Sequence, residues 1–168
     1  MEILPADAGL HADAIAAIYA RAALETAATF DLEGKPPGWW REAIRGGDPA
    51  RGHMMLVALG DGGKVLGYAK SGVHKDRPAY DTTVETSVYV AETGRRRGVG
   101  GALYDALLER LDACPAVRVA VAGVAEPNEA STRLHVSRGF TRVGRFSGVG
   151  TKFGRAWDVT WYQRSLGA

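Results

Sequence analysis

Seven consecutive residues, Arg95-Arg96-Arg97-Gly98-Val99-Gly100-Gly101, carry the most concentrated chemistry of the chain. Glycines let backbone N–H groups come close to a ligand, and arginines add planar forks matched to phosphate oxygens. A helix starting at this point would add about half a positive charge at its N-terminus. The combination suits a pyrophosphate. Two other phosphate patterns fail on spacing: Leu103 stands where a GxGxxG fingerprint needs its third glycine, and Lys64, after Gly62-Gly63, is followed by Val65 rather than Ser or Thr. The second reactive candidate is Glu85, mid-strand on the face opposite Val84 and Val88. A carboxylate inside a sheet requires a function or a partner, because burying it alone is costly.

The elements that must position these residues follow from hydrophobic periodicity. Val99, Leu103, Leu107 and Leu111 recur every four residues, with Tyr104 and Leu108 beside them, and predict a helix over 98–112. Ile15, Ile18, Tyr19 and Ala22 predict another over 13–26, and a short one follows over 39–45. Alternation predicts a strand over 82–90, with Thr82, Val84, Thr86, Val88 and Val90 on one face and Thr83, Glu85, Ser87 and Tyr89 on the other. Ile3-Leu4 reads as a short strand stopped by Pro5. Strands over 55–59 and 65–70 flank Gly60-Asp61-Gly62-Gly63, a turn whose glycines supply positive φ. The nearly all-apolar run 117–124 reads as a strand buried on both faces. A helix over 128–137 ends at Gly139, and strands over 140–147 and 157–165 finish the chain. The expectation is one α+β domain over 1–168, built on a mixed central sheet.

Composition sets the outer limits. A chain of 168 residues hides roughly 70% of its unfolded surface on folding, and 46% apolar with 24% charged residues fits a globular protein. A net charge of +2 argues against nucleic acid as a partner. The single cysteine, Cys114, cannot form an internal disulfide, and no Cys/His spacing suits a metal. A reducing, cytoplasmic setting is expected. Residues 1–5 lack the basic and apolar regions of a secretion signal. No apolar run nears the 18 or so residues that cross a bilayer, so no membrane partner is expected.

The run R-x-x-G-x-G at Arg95, Gly98 and Gly100 resembles the coenzyme A loop of the GNAT acetyltransferases, and the element order is similar to theirs. The likeness narrows to the phosphinothricin and methionine sulfoximine N-acetyltransferases. It does so through Thr29-Phe30, Arg77-Pro78-Ala79-Tyr80, Thr83-Val84-Glu85-Thr86-Ser87-Val88-Tyr89-Val90, Asn128-Glu129-Ala130-Ser131-Thr132-Arg133-Leu134-His135, Gly139-Phe140 and Val149-Gly150-Thr151-Lys152-Phe153-Gly154-Arg155. RxxGxG alone is moderately specific; the later motifs together are strongly so. The resemblance implies a GNAT fold of about seven strands, splayed between the fourth and fifth and flanked by about four helices. It also implies acetyl-CoA as cosubstrate, no metal, and transfer of acetyl to the amine of a small amino-acid-like molecule in a direct ternary complex.

That reaction needs a free amine, a polarised carbonyl and a leaving thiolate. An α-amine of pKa near 8 is about one-tenth neutral at pH 7, so a base helps. The resemblance makes Glu85 that base, directly or through water. It makes His135 the general acid on the thiolate, with exchange of the two roles as the fallback. Val88, Tyr89 and Val90 become contacts of the pantetheine arm, the N–H of Val88 or its neighbour holding the carbonyl oxygen. By the same resemblance the fourth strand bulges, which would disturb the facing of Glu85. Asn128, at the start of the helix that also carries Ser131, becomes a ligand of the pantetheine or thioester region. His11, His53 and His74 lack such context and are expected on the surface.

For the acceptor, a carboxylate or phosphinate calls for a guanidinium fork and a hydroxyl. Arg77 and Tyr80 resemble the substrate-binding segment, with Lys75 nearby as a further cation. Phe30 walls the pocket or plugs the core. Trp157, Val159 and Trp161 share a face of the last strand, more suited to core than to interface. Related enzymes are homodimers in which the hairpin of Lys152-Phe153-Gly154 reaches the partner's substrate site, so a dimer is expected. One departure stands out: Ala156 occupies the place of the family's tryptophan, and Trp157 follows. A one-residue shift in a strand puts the ring on the opposite face. Two other readings remain: a GNAT enzyme for a polyamine, aminoglycoside or protein N-terminus, and a non-catalytic acyl-CoA-binding module. Lys75, Arg77 and Lys152 argue against a polyamine; Glu85 and His135 argue against the second.

Overall fold

The computed structural model describes residues 1–167. Its seven-stranded sheet has the order β1-β2-β3-β4-β5-β7-β6, formed by β1 (Glu2–Pro5), β2 (Met54–Leu59), β3 (Val65–Val73), β4 (Thr83–Val90), β5 (Val119–Glu126), β6 (Thr141–Lys152) and β7 (Arg155–Ser165). Four α-helices flank it among the described residues: α1 (Ala12–Glu25), α2 (Pro37–Arg45), α3 (Val99–Asp112) and α4 (Glu129–Val136). The mixed α/β class and the strand and helix numbers are as expected.

The apolar stripe read from the sequence puts Leu103, Tyr104, Leu107, Leu108 and Leu111 of α3 in one core, against Leu56, Leu66, Val84 and Ala120 of the sheet. The opposite face carries a second core, where Ile15 and Ala16 of α1 and Trp40 of α2 meet Val57 and Tyr68. Period-two alternation sorts β4 between these sides: Val84 and Thr86 are buried toward α3, while Glu85, Ser87 and Tyr89 look to the side of α1 and α2.

Several boundaries move for local reasons. The strand expected over 117–124 starts two residues later, because the Val117 N–H closes a turn onto the Cys114 carbonyl at 3.1 Å. The strand expected over 140–147 continues to Lys152, since β6 and β7 form one long hairpin joined by Phe153 and Gly154. Both joining residues have positive φ, 54° and 71°, the paired left-handed geometry that matches the twist of the flanking strands. The bulge expected in β4 is absent from its pairing with β3, which runs unshifted from Val73↔Val84 to Gly67↔Val90. The alternation that directs Glu85 therefore holds.

Candidate active site

The site begins where β4 and β5 part. Their parallel pairing spans only Thr83↔Val119, Val84↔Ala120 and Glu85↔Val121. Beyond that, β4 stays with β3 to Val90, and β5 stays with β7 to Glu126↔Asp158. Thr86 marks the fork: its hydroxyl donates to the Val121 carbonyl at 3.3 Å and accepts from the Tyr104 hydroxyl at 2.6 Å. The backbone parity past the fork can be read from its ends. The Thr82 carbonyl accepts from Arg118 and Val119 on the β5 side, whereas the Ala91 N–H donates to Leu66 on the β3 side. The two-residue period then turns the N–H and C=O groups of Thr86, Val88 and Val90 toward the gap. Buried backbone groups call for partners, so this row is suited to a ligand that replaces the missing strand.

At one mouth of the gap lies a cleft of about 670 Å³, lined by Val90, Arg95, Arg96, Gly98, Val99, Gly100, Gly101, Asn128 and Trp157, and roofed by Thr26, Ala27 and Ala28. Gly98 caps α3 at φ 75°, a left-handed conformation that favours glycine. Gly100 leaves room beside Val90, whose Cγ2 would lie 3.3 Å from an added Cβ. Arg97 is the exception in the basic run: it does not line this cleft, and its guanidinium donates to the Thr93 carbonyl at 3.3 Å. Asn128 caps α4, accepting from the Ser131 N–H at 3.1 Å, which leaves its side-chain amide nitrogen for a ligand.

Behind the gap, Val88, Tyr89, Asn128, Ser131 and His135 line a smaller recess of about 300 Å³. His135 is 4% exposed and packed among Tyr104, Phe140 and Tyr162, with ring centroids 5.1 to 5.7 Å away. Its Nδ1 lies 2.7 Å from the Ser131 carbonyl; a carbonyl only accepts, so Nδ1 bears the proton and Nε2 is bare in the neutral ring. Burial pushes the imidazole below its ordinary value, against the Ser131 hydrogen bond, which raises it, and with a smaller push from Arg138. With the Nδ1 hydrogen committed to Ser131, service as a general acid would require a second proton on Nε2, which burial disfavours.

At the other mouth is a chamber of about 650 Å³, lined by Tyr19, Phe30, Lys70, Glu85, Ser87, Tyr89, Phe146, Val159 and Trp161. It shares Ala27, Ala28 and Ala125 with the first cleft. Glu85 is 44% exposed, and its Oε2 lies 3.4 Å from Nδ1 of His74. Phe30 forms wall rather than core plug. Burial, with smaller effects from Thr29 and Asp31, pushes the Tyr19 hydroxyl up to about 12, so it stays protonated and donates to Asp31 Oδ2 at 2.9 Å.

Several expected residues lie elsewhere. Lys75 sits over the Tyr80 ring at 5.1 Å in the loop between β3 and β4. Neither of these, nor Arg77 in the same exposed loop, lines the chamber. Lys152 is 4% exposed and donates to the Thr29 and Asp31 carbonyls at 2.7 and 2.9 Å; it pins the roof of both clefts and has little left for an acceptor. His74 is not a free surface residue: its side chain is 17% exposed and packs edge-on against Tyr80 and Trp161. His11 is buried too, its Nδ1 accepting from the Asp7 N–H at 2.9 Å. Of the face expected in the core, Val159 is buried and borders the second cleft, while Trp157 and Trp161 are only partly buried and line the first and the second. The Trp157 indole donates to the Lys152 carbonyl at 2.9 Å. Lys70 and His74 escape a motif reading. For Lys70 a signal existed, since a lone charge inside an apolar strand raises the question that singled out Glu85.

A sheet whose central pair parts after three residues, with an arginine- and glycine-rich turn at one mouth of the gap and a carboxylate at the other, has the layout of an acyl-transfer enzyme. The chain belongs to the acetyltransferase (GNAT) family, whose profile matches residues 16–140, and it is an N-acetyltransferase. It is 43% identical over 150 residues to a phosphinothricin N-acetyltransferase of Streptomyces coelicolor, covering 89% of this chain and 87% of that one. It is 37% identical over 158 residues to an L-methionine sulfoximine/L-methionine sulfone acetyltransferase of Salmonella typhimurium, covering 91% and 88%. Its fold matches the crystal structure of a GNAT superfamily phosphinothricin acetyltransferase from Sinorhizobium meliloti in complex with acetyl-CoA. The TM-score is 0.92 and the identity 30%, over 99% of this chain and 88% of that one. The branch resemblance read from the motifs is established by these relatives. Among the described residues no helix is long and apolar enough to cross a membrane, and no three ligating side chains form a metal site.

Proposed function

We propose that the protein transfers the acetyl group of acetyl-CoA to the amine of a small amino acid analogue of the phosphinothricin or methionine sulfoximine type, in one ternary complex. The observation that carries this is the parting of β4 and β5, which joins an anion-binding cleft to a carboxylate-bearing chamber. The names of the relatives support the donor and the acceptor class.

In this reading the diphosphate rests on the backbone of 98–101 and on Arg95 and Arg96, while Arg97 stays with Thr93. The pantetheine arm takes the place of the missing strand along Thr86, Val88 and Val90. The Val88 N–H polarises the thioester carbonyl, in the manner of an oxyanion donor. An amine in the chamber gives its proton to Glu85, directly or through water; its nitrogen bonds to the carbonyl carbon and the C–S bond breaks. A thiol has a pKa of about 8.5, so the thiolate leaves without an obligatory acid and takes its proton from solvent. His135, whose charged form burial disfavours, borders the thioester.

A thiol-release assay with acetyl-CoA against phosphinothricin, methionine sulfoximine, methionine sulfone, polyamines and aminoglycosides tests the whole reading. Release with the amino acid analogues, and not with the polyamines, is the expected result. Acetyl-CoA binding with no release for any amine would instead indicate a binding module.

A further inference from the structure

We propose that Lys70, with Ser87, is the oxyanion anchor of the acceptor chamber and holds the α-carboxylate of the amino acid whose amine faces Glu85. This rests on the acceptor chamber described under the proposed function, and it gives the anchoring role to residues other than Lys75, Arg77 and Lys152.

The strand register fixes the arrangement. Lys70 of β3 stands directly across from Ser87 of β4, and Gly72 directly across from Glu85. Lys70, Ser87 and Glu85 therefore share one face of the sheet, and all three line the same chamber. Gly72 adds no side chain between them and the open space.

Both members of the Lys70–Ser87 pair lack partners. The Ser87 hydroxyl is buried and makes no hydrogen bond, an arrangement that costs free energy unless a ligand fills it. Lys70 is partly buried, and burial lowers its pKa, with Glu85 and Asp31 pulling the other way. Those carboxylates are engaged elsewhere: Glu85 with His74, Asp31 with Lys35 at 3.2 Å and with the Tyr19 hydroxyl. Among the described residues no carboxylate lies within ion-pair distance of the Lys70 ammonium. An ammonium and a hydroxyl left open on facing residues of β3 and β4, in a chamber walled by Phe30, Val159 and Trp161, fit an anionic oxygen that arrives with the substrate.

The spacing suits an α-amino acid. Diagonal neighbours on paired strands are about 7–8 Å apart. Both side chains project from that spacing into the one chamber, so a molecule carrying its amine and its carboxylate on a single carbon can address the two groups together. An amine near Glu85 and a carboxylate near Lys70 are then satisfied by one small zwitterion. A polyamine would bring a second cation to Lys70.

The test compares L-methionine sulfone with its carboxamide, in the wild type and in Lys70→Met. The expected result is a KM for methionine sulfone raised about ten- to a hundredfold in the variant. The carboxamide KM stays within about twofold, and kcat and acetyl-CoA affinity are unchanged. Ser87→Ala moves KM in the same direction by less. Equal KM changes for both acceptors, or none, would overturn the anchor. A failure of the activity itself is distinguishable: with no thiol release in the wild type, calorimetry of methionine sulfone with the coenzyme A-loaded protein still decides. Weaker binding to Lys70→Met than to wild type supports the anchor, and equal binding or none refutes it.

Discussion

At the scale of single residues the two proton-handling candidates sit in opposite surroundings. Glu85 is open to the chamber and held at one oxygen by His74, whereas His135 is enclosed by three aromatic rings with its Nδ1 proton committed to a carbonyl. General bases of this kind are worth roughly 10²- to 10⁴-fold, so Glu85→Gln is expected to lower kcat by at least about a hundredfold with acetyl-CoA affinity intact. His135→Gln is expected to lower kcat by less than about tenfold. A hundredfold loss in His135→Gln, with the alkaline limb of the pH–rate profile removed, would restore it as an obligatory acid. The depressed pKa of His135 has a second consequence. The unfolded chain, with an ordinary histidine value of about 6.5, binds a proton that the folded ring refuses, so stability rises with pH in that window. Acidification from about pH 6.5 to 5 should therefore lower the melting temperature more steeply in wild type than in His135→Gln. Parallel slopes would mean the ring titrates normally.

At the scale of elements, one contact couples the roof loop to the hairpin. A Cβ added to Gly150 of β6 would overlap the Phe30 ring, and Phe30 walls the acceptor chamber. Gly150→Ala should push that ring and change the acceptor KM about fivefold or more, leaving acetyl-CoA affinity alone; Phe30→Ala in the same chain should cancel most of the change, as expected of residues in contact. Independent effects in the double mutant would show that the two do not share the wall. The elements themselves were legible because each obeys a local rule: the leucine stripe of α3, the alternation of β4, the glycines of the first hairpin. The cradle and Glu85 were legible for the same reason. What the motifs concealed was set by tertiary packing. Lys152 reads as a free cation until β6 proves long enough to carry its ammonium beneath Thr29 and Asp31. Lys70 and Glu85 lie fifteen positions apart in the chain, and only the β3–β4 register makes them diagonal neighbours. The tautomer of His135 depends on a carbonyl one helical turn away, which no spacing reveals.

At the scale of the whole molecule, β6 is an edge of the sheet, and nearly all of its residues are exposed. Val143, Phe146 and Val149, with Phe153 at the hairpin tip, are each more than half exposed. A long apolar edge invites association. Irregular pairing with β7 between Arg142 and Gly144, and again between Phe146 and Gly150, interrupts a flat edge and discourages open-ended strand addition. A closed two-fold contact covers such a surface without leaving another edge to extend. We therefore expect a homodimer that buries the hairpin and brings its tip toward the partner's acceptor chamber, in agreement with the resemblance. Sedimentation equilibrium should give about twice the 17.9 kDa chain mass. Val143→Asp with Phe146→Asp should give the single-chain mass and weaken the acceptor KM, because Phe146 and Val149 line the chamber while neither substituted residue lines the cofactor cleft. A wild-type protein that sediments as one chain while turning over at its full rate would remove the dimer from the account and leave the acceptor chamber to be closed by the roof loop alone.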